Sequence, residues 1–133
     1  PLTSGGESLF GPMPALSEHP CDFACLGFIA PNMNFVARWD SMRFWITWPL
    51  TPEKSQLLGY TLFPETALED PEFSSKVDQY TEFLTEFVEE DRDMMESLQS
   101  GSGARRFDPG PMSSLEQPIH HVVQHYLKSV AGR

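Results

Sequence analysis

DPEFSSKVDQYTEFLTEFVEEDRDMMESLQSG, Asp70 to Gly101, is the stretch on which the fold turns. Asp70 has the side chain of an N-cap, and Pro71 fits the first helical position, where its missing N–H costs nothing. Apolar residues then recur at Phe73, Val77, Tyr80, Leu84 and Phe87, and again at Met94 and Leu98. Those steps of three and four predict one long amphipathic helix over residues 70–100, ended by Gly101 and Gly103. One position breaks the stripe. The step after Phe87 lands on Asp91, which at about 100° per residue lies within roughly 20° of the stripe's centre. Glu89, Asp93 and Glu96 fall on the far side, where solvated acids belong.

A carboxylate on an apolar stripe must be neutral, paired or bound to a metal. An ion pair with Arg38 or Arg43 is the plain structural account, and a kink that turns Asp91 toward solvent is another. Periodicity leaves these and the metal open.

Upstream, residues 22–64 change texture. DFACLGFIAPNM, NFVARWDSMRFWITWPLTP and KSQLLGYTLFPE are dense in aromatic and aliphatic residues and are cut by PN, WD and TPEK turn signals. They predict three or four antiparallel strands, with Pro52-Glu53-Lys54 near one hairpin turn. The middle strand alternates Met42, Phe44, Ile46 and Trp48 against Arg43, Trp45 and Thr47. Trp45 on the second face argues that both faces are at least partly covered, so the sheet curves round something. Residues 1–20 are rich in Gly, Pro and Ser and read as an irregular lead-in. Downstream of the loop SGSGARRFDPGP, a final amphipathic helix is expected over residues 113–132. Ser113 and Glu116 suit a capping box there, and Pro118 must lie in the first turn. The fold class is α+β, a curved antiparallel sheet with a long helix and a C-terminal helix.

Composition bounds the function. The chain has 133 residues, 40% hydrophobic and 12% aromatic, which suits one domain with a core. A net charge of −10 argues against nucleic acid and anionic membrane as partners. No apolar run approaches the length of a membrane span. Cys21 and Cys25 lie four apart with no zinc spacing around them, and read as two buried free thiols in a reducing cytoplasm.

The order of several short elements resembles a known family. Glu90-Asp91 is followed by Glu96-Ser97-Leu98-Gln99-Ser100-Gly101, then by Gly110-Pro111-Met112-Ser113 with Glu116, then by an apolar helix carrying His120-His121. This is similar to the C-terminal end of the alpha subunits of Rieske-type non-haem iron ring-hydroxylating oxygenases. The segments FWITWPLTPEK and LLGYTLFPE also look like that family's sheet. The resemblance runs from about Asn32 to Gly132. It implies a helix-grip fold, in which the sheet wraps a helix with the substrate cavity between them. It further implies that Asp91 is the carboxylate of a two-His-one-carboxylate triad for mononuclear Fe(II), where a hard anionic oxygen beside two imidazoles leaves positions open for dioxygen. Phe23, Phe28, Phe35, Phe44, Trp48 and Phe87 would then be candidates to line a cavity for a flat, apolar substrate.

The family's other metal ligands have no counterpart here. A Rieske [2Fe-2S] cluster needs Cys-x-His and Cys-x-x-His pairs, and the two histidine iron ligands should precede the strands, where His19 stands alone. The resemblance therefore implies a single partial catalytic domain over residues 1–133, the C-terminal portion of a parent alpha subunit. Such a chain binds no cofactor by itself and is inactive alone. The parent implies a trimer with or without a beta subunit, served by a reductase and in some cases a ferredoxin. His120, His121 and His125 lack an HEXXH context and are read as packing or surface residues. A rival reading is a free-standing helix-grip protein that binds an apolar ligand without metal and commits Asp91 to a salt bridge.

Overall fold

The computed structural model describes residue 3 and residues 5–132. Four strands form one antiparallel curved sheet in the order β1-β2-β3-β4: β1 Ala24–Ile29, β2 Met33–Arg38, β3 Met42–Thr51 and β4 Lys54–Leu62. A single-turn 3-10 helix, Glu65–Glu69, leads to the long helix α1, Phe73–Ser102, and a loop leads to α2, Gln117–Ala131. The α+β class and both helices follow the sequence reading.

Each hairpin has a local cause. The β1–β2 turn contains the cis Ala30–Pro31 bond, and Asn32 ties it down by donating from Nδ2 to the Thr47 carbonyl at 3.0 Å. The β2–β3 turn closes with the Arg38 N–H donating to Ser41 O at 2.8 Å. The β3–β4 turn falls at Pro52-Glu53, flanked by the Thr51–Lys54 pair, with a register shift between Pro49 and Thr51. Pro52 cannot donate to a ladder, so the chain turns there.

Asp70 acts as an entry cap, although α1 proper begins three residues later. Its Oδ1 accepts from the Glu72 N–H at 2.8 Å and its Oδ2 from Lys76 Nζ at 2.6 Å. The Lys76 bond first, then the Glu72 N–H, hold the Asp70 carboxyl below the usual carboxylate range. A carboxyl whose folded value is depressed stabilises the fold above its unfolded value and loses that contribution as pH falls through the folded one. Asp70→Ala should therefore lower the urea midpoint at pH 7. The difference from the wild type should vanish at a pH below the depressed value, and a difference independent of pH would contradict the cap.

The core sits at the N-terminal end of α1. Phe10, Ala67, Tyr80 and Leu84 are buried, with Leu9, Phe63, Phe73, Val77 and Phe83 packed around them. Phe10 is the wedge: its ring lies 4.9 Å from Phe63, 5.6 Å from Phe73 and 5.9 Å from Tyr80. The lead-in is thus irregular in backbone but not in packing. It is pinned by the Met13 N–H to Trp39 O at 2.7 Å and by the Leu9 N–H to the Tyr80 hydroxyl at 3.0 Å.

Two expectations need correction. Cys21 and Cys25 are free thiols, but both are exposed, because the start of β1 is the bare edge of the sheet. Met94 and Leu98 continue the helical stripe yet are 56% and 64% exposed, since no described element covers α1 beyond Asp91. α2 likewise buries no residue. Its start is held by Glu116 Oε2 accepting the Ser113 N–H at 2.6 Å, Pro118 lies in its first turn, and Gly132 ends it in the left-handed region at φ 64°.

Candidate functional site

β3 and β4 present Arg43, Trp45, Leu57, Gly59 and Thr61 on one face, because strand side chains alternate and paired residues share a face. α1 lies over that face with Val77, Tyr80, Thr81, Leu84, Thr85 and Val88, at helical spacing. The Phe10 wedge fills one end of the space between them. What remains is a groove of about 450 Å³, with Phe63 and Glu89 completing its lining. The hydroxyls of Thr81 and Thr85 donate back to Val77 O at 2.9 Å and Thr81 O at 2.8 Å. Their donors are spent on the helix, which leaves the groove wall largely apolar.

The groove's cation, Arg43, and its acid, Glu89, come from the sheet and from α1 respectively. At the Tyr80 end a buried polar cluster surrounds the sheet's second turn. Asp40 and Ser41 are 1% and 0% exposed. Tyr80 donates its hydroxyl to Asp40 Oδ2, and Ser41 Oγ donates to Asp40 Oδ1 at 3.0 Å. Burial first, then the bond to Asp40, push the Tyr80 phenol well above its usual range. Arg43 lies beside this cluster, with Nε and Nη2 donating to Thr61 Oγ1 at 3.1 and 2.7 Å. Burial, then the neighbouring Arg38 charge, bring the Arg43 guanidinium down to about 10, so it stays charged at neutral pH. Arg38 Nε is itself buried without a hydrogen-bond partner among the described residues.

Asp91 is not among the groove's lining residues and lies just past them on α1. It follows Leu84 and Val88 by seven and three residues on the sheet-facing side of α1, and is half-buried. Every described residue of α1 after it is exposed. Neither Arg38 nor Arg43 pairs with it. No described residue gives it a hydrogen bond or an ion pair, and its neighbour Arg92 is engaged by Glu89. No three His, Cys, Asp or Glu side chains among the described residues come together as a metal site. His120, His121 and His125 are exposed on α2, and His19 lies with its ring centroid 4.5 Å from that of Phe23.

None of the six aromatic candidates lines the groove. Phe44 and Trp48 alternate with Trp45 and so occupy the opposite face of β3, where Phe44 stacks on Tyr60 at 5.0 Å. Phe35 pairs with Phe44 on that face and lies over Gly27, at which a Cβ would come within 2.3 Å of its ring. Phe28 is on the groove's face of the sheet but on the edge strand, two strands from β3. Phe23 precedes β1, and Phe87 is 52% exposed, because α1 turns Val88 rather than Phe87 to the sheet. The sequence offers Arg43 only as an ion-pair partner for Asp91, and does not single out Thr61 or Leu57. The usable signal was Trp45, a large aromatic alternating with polar neighbours on the face taken to be secondary.

The described residues thus form a curved sheet with a long helix over one face and a groove between them. The chain matches the ring hydroxylating alpha subunit (catalytic domain) family over residues 3–132, and it belongs to that family. That family implies iron-dependent oxygenase chemistry in general. No curated protein and no solved structure matches it. No helix among the described residues is long and apolar enough to cross a membrane.

Proposed function

We propose that this chain is the C-terminal part of the catalytic domain of a Rieske-type oxygenase alpha subunit, and that Asp91 is the carboxylate ligand of its mononuclear Fe(II). The observation that carries the reading is Asp91 itself: a half-buried carboxylate three residues past the groove residue Val88 on α1, with no partner among the described residues. No described side chain claims its oxygens, so they are available to a hard divalent cation such as iron. The described residues fit that metal as one donor of three, so two imidazoles must come from elsewhere in the parent, as must the cysteines and histidines of the Rieske cluster.

When bound, the ferrous ion supplies the centre at which dioxygen is activated for insertion into an unactivated carbon. The chain's own residues bind the substrate and exclude water. Leu57, Leu84, Val88 and the Trp45 ring offer apolar walls, and the back-bonded Thr81 and Thr85 keep competing donors out of the groove. Substrate contact is assigned to these residues in place of the six aromatics. The parent draws electrons from NAD(P)H through a reductase, in some systems with a ferredoxin, and assembles as a trimer of alpha subunits, with or without beta, in the cytoplasm. The chain alone is inactive. The polypeptide that contains it should carry Cys-x-His, Cys-x-x-His and a later His pair ahead of the strands, and sequencing it checks this directly. A parent without them overturns the Rieske assignment.

A further inference from the structure

We infer that the groove takes an elongated apolar substrate ending in a carboxylate, with Arg43 as the residue that holds that end. The inference rests on reading the groove as the oxygenase's substrate site and adds the substrate's chemical class. Arg43 is 9% exposed and lines the groove. Its guanidinium is fixed in place by Thr61 on one side and by the Trp45 ring, 5.4 Å from centroid to Cζ, on another. It forms no ion pair with any described carboxylate, and Nη1 has no acceptor among the described residues. The buried acid of the β2–β3 turn, Asp40, is already engaged by Tyr80 and Ser41.

A buried guanidinium without a counter-charge is costly, and a fork held rigid by other contacts is ready to accept a planar anion in two parallel bonds. The ligand's charge is single. Arg43 is the one cation among the groove's lining residues and Glu89 the one acid, so a phosphate's second charge would go unanswered. The ligand's length follows from where the ends lie. β4 runs toward Phe63, which stacks on Tyr80 at 5.7 Å, so the Arg43–Thr61 pair is at the Tyr80 end. Asp91 lies eleven residues further along α1, roughly 16 Å at 1.5 Å per residue. An anion seated on Arg43 therefore points its apolar body along the groove toward Val88, three residues short of Asp91 on α1. The flat Trp45 ring beside the anchor favours an aryl body over a branched one.

Isothermal titration of the intact alpha subunit with biphenyl-4-carboxylate and with the isosteric biphenyl-4-carboxamide tests this. The carboxylate should bind at least tenfold more tightly, and that preference should fall to within about twofold in Arg43→Gln. Arg43→Lys, which keeps the charge and loses the fork, should retain part of it, and serves as the variant if Arg43→Gln does not fold. Equal affinity for the two ligands in the wild type would overturn the carboxylate assignment while leaving the groove as the substrate site. A preference that survives Arg43→Gln would overturn Arg43 as its source. Failure of both ligands to bind would overturn the groove reading itself, and this inference with it.

Discussion

Asp91→Ala in the intact alpha subunit is expected to empty the mononuclear iron site while leaving the Rieske absorbance in place. Iron attributable to that site should drop by well over the roughly 10–100-fold that loss of an outer-shell partner costs, because a direct ligand is removed. Hydroxylation should fall in parallel. Asp91→Asn keeps an oxygen at the same reach but loses the negative charge, and should retain iron poorly. Asp93→Asn, on the exposed far side of α1, should change neither quantity. Folding is not expected to suffer. Asp91 has no hydrogen-bond or ion-pair partner among the described residues, so its removal strands no other group, and the stability change should stay within about 0.5 kcal/mol. Metal analysis and cluster absorbance on the same samples separate the two centres. Full iron and full turnover in Asp91→Ala would remove the residue from the site.

Tyr80→Phe should have the opposite signature, a large loss of stability. The Tyr80 hydroxyl donates to Asp40 and accepts the Leu9 N–H at 3.0 Å, joining the lead-in, the β2–β3 turn and α1 at one oxygen. Without it, a carboxylate that is 1% exposed keeps only Ser41, and the Leu9 N–H loses its acceptor. Stranding a buried polar group costs about 1–3 kcal/mol, and more when it is charged, so a total near 3 kcal/mol is expected by urea unfolding. Asp40→Asn leaves an oxygen for Tyr80 to donate to and should cost less. The pH dependence gives a second readout. Because the phenol's value is raised in the fold, its contribution is fully present below the unfolded value of about 10 and is lost as pH climbs toward the folded one. The alkaline decline that this group causes should be absent from Tyr80→Phe. A loss below about 0.5 kcal/mol would show that the cluster does not hold the three segments together.

Much of this was legible from local pattern. The steps of three and four in residues 70–101 give α1 to within three residues at its start, and Asp70 does cap its entry. The alternating runs, with turns at Pro31 and Pro52, give three or four strands, and four form. Pro118 and Gly132 give the limits of α2. Asp91 was the misfit of the helical stripe by arithmetic alone, and the structure puts it at the last half-buried position of α1. The family resemblance rests on short elements that the sequence carries in order.

The rest depended on which surfaces meet. Alternation in β3 divides Met42, Phe44, Ile46 and Trp48 from Arg43, Trp45 and Thr47, but it does not say which set faces the helix. The more apolar set looked like the inner one, and the helix lies over the other. Likewise nothing local marks Phe10 as a core residue, since residues 1–20 have no period to read. Its place comes from Phe63, Phe73 and Tyr80, and from a hydrogen bond that spans 71 positions between Leu9 and Tyr80. Helix and strand periods are set by the backbone angles of adjacent residues, so a short window of sequence contains them. The covered face of the sheet, the Phe10 wedge and the charged end of the groove are fixed by packing between distant segments. The sequence therefore determined the elements and singled out Asp91, and only the tertiary structure decided that Arg43 lines the groove beneath α1.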